Sequence, residues 1–160
     1  MFNFFKKKET KYSVYAVANG TTVALKDVPD PTFAEEMIGK GVAIIPTDGK
    51  VVAPVSGTVS MVFPTNHAVG LVDENGVEVL VHIGIDTVSM KGEGFTGHVK
   101  QGDTVKAGDL MIEVDLDKVK EAGFNTIIPV IITNTPSFTA VEGLAGKDVK
   151  VGDEVISITK

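Results

Sequence analysis

The stretch "HAVGLVDENGVEVLVH" begins at His67 and ends at His82, so an imidazole closes each end of a segment that is otherwise apolar or turn-like. Imidazole gains and loses its proton near neutral pH, and it serves as nucleophile, acid, base or metal ligand. Three chemistries are open to a facing pair. A metal site needs at least a third ligand, for which Asp86 is the candidate. Yet there is no His-x-His or His-Glu-x-x-His element, and His98 falls in the separate segment "GFTGHVKQGD". Acid–base catalysis on a small substrate is the second option, but no glycine-rich phosphate loop or cofactor motif of recognised spacing is present. Covalent phosphoryl transfer asks least of the scaffold: one imidazole attacks, the other donates to the phosphate, and a partner must be able to reach them. The chain has no cysteine, which excludes thiolate ligands, thiol nucleophiles and disulfides.

The elements that would position such a pair are legible nearby. Asp73-Glu74-Asn75-Gly76 is a turn signal between two β-rich runs, which predicts an antiparallel hairpin. With all four residues in the loop, Val72 pairs with Val77 and His67 lies opposite His82, the two Cβ atoms about 5 Å apart. With Asn75-Gly76 alone as the loop, the histidines become diagonal neighbours on the same face. An odd-length loop would separate them, because a one-residue slip turns a whole strand over. Along the second strand Val79, Val81, Ile83 and Ile85 are expected to face a core, and Leu80, His82 and Gly84 to face away. Gly84 leaves room beside the ring of His82, and its carbonyl is near enough to hold one ring nitrogen. Thr65 can reach the ring of His67 in the same manner. Pro64, Asn66 and Asp86, with Asp30 heading a short helix, complete the candidate site.

From Tyr12 onward the chain consists of short runs rich in Val, Ile and Thr, broken by Gly, Pro, Asp or Asn. That pattern predicts an all-β fold, an antiparallel sandwich or barrel. Helix signals are confined to two places. Asp30 can cap a helix that starts at Pro31, carries Phe33 and Met37 on one face and stops at Gly39; a shorter one around Asp115 to Gly123 places Leu116 and Val119 together. Internal echoes point to two similar halves: "AVANGT" from Ala16 is answered by "APVSGT" from Ala53, and "VKQGDTV" from Val99 by "VKVGDEV" from Val149. The 160 residues, 43% hydrophobic, suit one compact domain. A balance of 15 basic against 21 acidic residues speaks against a nucleic-acid surface and fits a basic protein partner. The opening "MFNFFKKKE" puts its apolar residues before its lysines and has too short a hydrophobic run for a signal peptide or a membrane span, so a cytoplasmic protein is expected. Residues 1–10 are expected to form a flexible tail whose Phe2, Phe4 and Phe5, followed by Lys6, Lys7 and Lys8, give at best a weak contact with a membrane surface, ahead of one domain over 11–160.

Five segments, "PVSGTV", "TNHAVGL", "VEVLVHIGIDTVSMKGEGF", "VKAGD" and "KDVPDPTFAEEMIGKGVAI", closely resemble the glucose-family enzyme IIA component of the bacterial phosphoenolpyruvate-dependent sugar phosphotransferase system. The resemblance covers nearly the whole chain after the first ten or so residues. It implies an antiparallel β-sandwich with a duplicated hybrid motif, working without a cofactor and without a resident metal. His82 matches the histidine that takes the phosphoryl group on Nε2 while Gly84 holds its other nitrogen. His67 matches the second histidine, which hydrogen-bonds that group, and Thr65 the residue that orients it. The implied donor is the phosphorylated histidine-containing phosphocarrier protein, and the implied acceptor a cysteine of enzyme IIB. Phe33, Met37, Ile38, Phe63, Leu80 and Val88 match the family's apolar docking rim, and Asp30 and Asp86 its acidic positions. Two rival readings fit parts of the chain: a zinc-dependent hydrolase, and a biotin- or lipoate-type carrier, which "SMKGEG" around Lys91 and the repeated "VKxGD" turns faintly resemble.

Overall fold

Short β-branched runs separated by turn residues form short strands, and the computed structural model, which describes residues 9–160, contains fourteen of them. They are β1 (Lys11–Tyr15), β2 (Gly20–Val23), β3 (Lys40–Pro46), β4 (Lys50–Val52), β5 (Gly57–Val62), β6 (Ala68–Asp73) and β7 (Glu78–His82). The second set is β8 (Phe95–Gly97), β9 (Thr104–Val105), β10 (Leu110–Val114), β11 (Ile128–Ile132), β12 (Ala140–Gly143), β13 (Asp148–Val149) and β14 (Glu154–Thr159). All pairings are antiparallel. One eight-stranded sheet has the order β13-β2-β3-β11-β7-β6-β5-β9, and two three-stranded sheets have the orders β1-β14-β12 and β4-β10-β8. The molecule is thus the antiparallel β-sandwich that the strand pattern predicts. The expected tail lies mostly outside the described residues; its last member, Thr10, is already held, its carbonyl accepting from Lys160 N at 2.9 Å.

Alternation along the strands places the core. Val42, Ile44, Val69, Leu71, Val79, Val81, Val130 and Ile132 project from the inner face of the large sheet onto Val14, Met111, Ile112, Ile156 and Ile158 of the two smaller ones. The outer face carries a second, smaller cluster. Ala43 and Ile131 point that way and are covered by Leu25, Val28 and Phe33, together with Ile85 and Ile127. Ile85 thus leaves the row of Val79, Val81 and Ile83, contrary to simple alternation. The β7–β11 ladder runs to Val81↔Val130, and the next residue of β11 is Pro129, which has no N–H to donate. Beyond this gap Gly84, at φ 81°, turns the chain, its N–H donates to Ile127 O at 3.0 Å, and Ile85 is delivered to the other face.

The helices are shorter than expected. Helix α1 spans Pro31–Ala34, with the Asp30 carboxylate accepting from Thr32 N at 2.9 Å as the cap. It stops at once because Glu36 enters the left-handed region at φ 56°. Glu36 N then donates to Phe33 O and Met37 N to Thr32 O, a Schellman closure with glutamate where glycine is usual. Helix α2 spans Leu116–Glu121, capped by Asp115 and closed in the same way at Gly123, with Val119 buried beneath it.

The two halves are related bond by bond. Gly20 pairs with Val149 as Gly57 pairs with Val105, and Ala16 N donates to Asp153 O as Ala53 N donates to Asp109 O, each at 2.8 Å. The Asn19 side chain accepts from Val151 N as the Ser56 hydroxyl accepts from Ala107 N, each at 2.9 Å. The partner of the Val149 turn in the repeat is therefore "VKAGD" from Val105, and "VKQGD" from Val99 is a third copy of the same device. In all three the aspartate carboxylate accepts from the lysine N–H at 2.8–2.9 Å, and the glycine before it stands at φ 93–99°.

Candidate active site

His82 ends β7, and His67 stands one residue ahead of β6. The hairpin that joins them has neither of the expected even loops. Asp73 and Val77 still pair, Asp73 N donating to Val77 O at 3.0 Å, which leaves Glu74-Asn75-Gly76 as a three-residue loop. Gly76 takes the left-handed position at φ 79°, and the Asp73 carboxylate accepts from the N–H groups of Asn75 and Val77. The register is Ala68↔His82 and Val69↔Val81, so strict alternation would put His67 on the core face, away from His82. It does not, because alternation does not extend to it. Asn66, at φ 58°, breaks the extended backbone just before His67, and the imidazoles meet with centroids 5.1 Å apart and planes at 81°.

Each ring is held at Nδ1. His82 Nδ1 lies 2.7 Å from Gly84 O, and since a carbonyl only accepts, Nδ1 carries the proton and Nε2 of the neutral ring keeps its lone pair. His67 Nδ1 is hydrogen-bonded to the Thr65 hydroxyl at 2.5 Å. Among the described residues neither Nε2 has a protein partner and no buried side-chain nitrogen or oxygen is left unpaired, so both Nε2 atoms reach solvent. His67 is nonetheless only 3% exposed, packed edge-on against Phe63 at 5.1 Å, while half-buried His82 rests on Phe33 at 5.0 Å.

Burial penalises the charged imidazoles. It pushes His67 down from 6.5 to about 4, with repulsion from His82 adding to the effect. His82 is also lowered, mainly by burial, opposed by its bond to Gly84 O and by the negative charges of Asp30 and Asp86. Both rings are therefore neutral at physiological pH, the state in which one attacks and the other donates.

The remaining expected residues divide by exposure. Met37 (72%) and Val88 (53%) stand out into solvent, Ile38, Phe63 and Leu80 are half-buried, and Phe33 is buried as the wall under His82. Asp86 is exposed in the left-handed region at φ 61° and opens the 3₁₀ turn Thr87–Met90. An apolar groove of about 310 Å³ runs on from Phe63 and Leu80 past Met61 and Gly70 to Thr133. Met61, 45% exposed, was not singled out by the sequence because its strand bulges between Val59 and Met61. Thr87 was missed as well: fully buried, it donates its hydroxyl to Ile83 O at 2.5 Å. His98 lies apart, its Nε2 2.8 Å from Glu113 Oε1 on the exposed side of the β8–β10 pair. No three His, Cys, Asp or Glu side chains among the described residues are grouped to hold a metal, so the donor set for a zinc hydrolase stops at two histidines. Lys91 ends the 3₁₀ turn at φ 55° and is not at the tip of a hairpin between the two halves, where a carrier domain needs its lysine.

An open β-sandwich face carrying two imidazoles, each fixed at one nitrogen, can take up and pass on a phosphoryl group, and comparison with known proteins gives the chain its class and family. The model for the phosphoenolpyruvate-dependent sugar phosphotransferase system, EIIA 1, matches residues 12–138, and the chain belongs to this family. A glucose-specific EIIA component of that system from Halalkalibacterium halodurans is 52% identical over 140 residues, covering 88% of this chain and 81% of that one. A glucose-specific EIICBA component from Streptococcus pneumoniae is 51% identical over 135 residues, covering 84% of this chain and 19% of the longer protein. Among solved structures, the glucose permease IIA from Mycoplasma capricolum is 40% identical with a TM-score of 0.86, covering 98% of this chain and 99% of that one. Family membership makes the chain a phosphotransferase component that serves sugar uptake. No helix among the described residues is long and apolar enough to cross a membrane.

Proposed function

We propose that residues 11–160 act as one enzyme IIA unit in which His82 receives a phosphoryl group from a phosphorylated histidine phosphocarrier protein and passes it to a cysteine of enzyme IIB. The observation that carries this reading is the Nδ1 bond of His82 to Gly84 O, which keeps the Nε2 lone pair outward. In the first step an N–P bond forms at Nε2 as the donor's N–P bond breaks and its electron pair returns to the donor nitrogen. In the second, a thiolate of the partner attacks phosphorus, an S–P bond forms, and the pair returns to Nε2 of His82. His67, with Nδ1 accepting from Thr65, offers Nε2–H to the phosphoryl oxygens. Asp30 and Asp86, flanked by exposed Met37 and Val88, fit a partner that is basic at its centre and apolar around it. Joint occurrence with further segments in the S. pneumoniae EIICBA relative supports an enzyme IIB partner. The cytoplasm is the compartment that supplies such donors.

The test is mass spectrometry after incubation with phosphoenolpyruvate, the first enzyme of the system and the phosphocarrier. An acid-labile phosphate is expected on the wild type and none on His82→Ala. His67→Gln is expected to accept phosphate but to deliver it poorly to the enzyme IIB cysteine. Equal failure of His67→Gln at both steps would overturn the division of labour, and phosphate on any residue but His82 would overturn the assignment.

A further inference from the structure

The nucleophilic readiness of His82 rests on one carbonyl, that of Gly84, and a carbonyl points where its backbone is held. Gly84 stands at φ 81° between two backbone bonds to β11 and its approach, Gly84 N to Ile127 O and Ile85 N to Asn125 O, both 3.0 Å. These hold the N–H side of the crossing. On the other side lies Thr87, completely buried. Its hydroxyl donates to Ile83 O at 2.5 Å, while its methyl lies against Gly84, so close that a Cβ on that glycine would stand 2.4 Å from Thr87 Cγ2. The other backbone group of the same residue ties in the second histidine, since Ile83 N donates to His67 O at 2.7 Å. At so buried a position a threonine hydroxyl is conspicuous, because a valine of nearly the same shape has no polar group to satisfy.

We propose that Thr87 is a positioning residue for phosphoryl transfer: its hydroxyl fixes the Ile83 carbonyl, its methyl fixes Gly84, and together they aim the Gly84 carbonyl at Nδ1 of His82. The proton is thereby kept on Nδ1 and the lone pair on Nε2. Thr87 touches neither the reacting nitrogen nor the phosphoryl group. The inference rests on His82 as the phosphoryl acceptor, but its first readout does not.

That readout is the tautomer of His82, measured from the imidazole ¹⁵N shifts of the full chain above pH 7. The wild type is expected to show Nδ1–H alone. Thr87→Val, which keeps the shape and deletes the hydroxyl, is expected to show a mixture with Nε2–H, and Thr87→Ser to restore the wild-type pattern. Phosphorylation of His82 by a small donor such as phosphoramidate is expected to slow on the order of tenfold in Thr87→Val, as when a group orienting a histidine is lost elsewhere, and to recover in Thr87→Ser. Should Thr87→Val fail to fold, Thr87→Ala set against Thr87→Ser reads the same contrast with less crowding. A pure Nδ1–H tautomer and an unchanged rate in every folded variant lacking the hydroxyl would overturn the proposal. A tautomer shift without any phosphohistidine, in wild type or variant, would sustain the positioning role and count against His82 as acceptor.

Discussion

At His67 and His82 the same environment sets geometry and charge. Phe33 and Phe63 brace the rings and, by excluding water, help to keep them neutral. The consequence for stability has a definite sign. An unfolded chain takes up protons on these histidines below about pH 6.5, whereas the folded chain resists until lower pH, about 4 for His67. The depressed values therefore cost nothing above pH 6.5, and stability declines as pH falls from there towards 4. Thermal melts of His67→Gln are expected to lose less stability than the wild type across that window; a parallel decline would contradict the burial of His67. Phosphate on His82 reverses the local electrostatics, because negative charge favours a protonated neighbour. The titration midpoint of His67, followed by NMR, is expected to rise well above 4 on phosphorylation. A midpoint that stays put would place the phosphoryl group out of reach of that ring.

Single elements deliver these side chains, and here the sequence was readable at element starts and misleading at their ends. Asp30 and Pro31 announce helix α1, and both stand where capping chemistry puts them. Its end was misplaced because Glu36, not Gly39, makes the left-handed turn, a conformation that a glutamate adopts only when its surroundings impose it. Glu36→Gly is expected to stabilise the protein by roughly 1 kcal/mol in urea unfolding, by relieving that strain. The hairpin offers a subtler case. Asp73-Glu74-Asn75-Gly76 reads as an even loop, yet local bonds from the Asp73 carboxylate keep Asp73 and Val77 paired and make the loop odd. The histidines come together only because Asn66 breaks the strand ahead of His67, so the correct pairing of rings was reached through an incorrect register. The signal for such a break, an asparagine after "PT", was present but carries no unique conformation. The contact of Thr87 with Gly84 was illegible, because it depends on a 3₁₀ turn folding back onto the chain that precedes it.

Across the whole molecule, duplication supplies the frame and the connections supply the chemistry. The strands β2 and β3 of one half correspond to β5 and β6 of the other: the missing Cβ of Gly20 faces Ile45 O at 2.0 Å and that of Gly57 faces Val72 O at 2.2 Å. Between these matched strands one half carries the segment with Asp30 and Phe33, the other the turn with Thr65 and His67, and both reach His82. The frame predicts two grades of glycine substitution. Gly20→Ala and Gly57→Ala must push neighbouring backbone aside and are expected to cost about 3 kcal/mol or more in chemical denaturation. Gly102→Ala, Gly108→Ala and Gly152→Ala meet open space and are expected to cost about 1 kcal/mol each, for backbone conformation alone. The bond from Lys160 N to Thr10 O, beside the pairing of Lys11 with Thr159, has a different kind of consequence. Segments attached before Thr10 or after Lys160 depart from a single anchorage, so a companion domain tethered at either end explores the same volume. Swapping a fused companion from one terminus to the other should thus leave its effective local concentration at His82 governed by linker length, not by gene order.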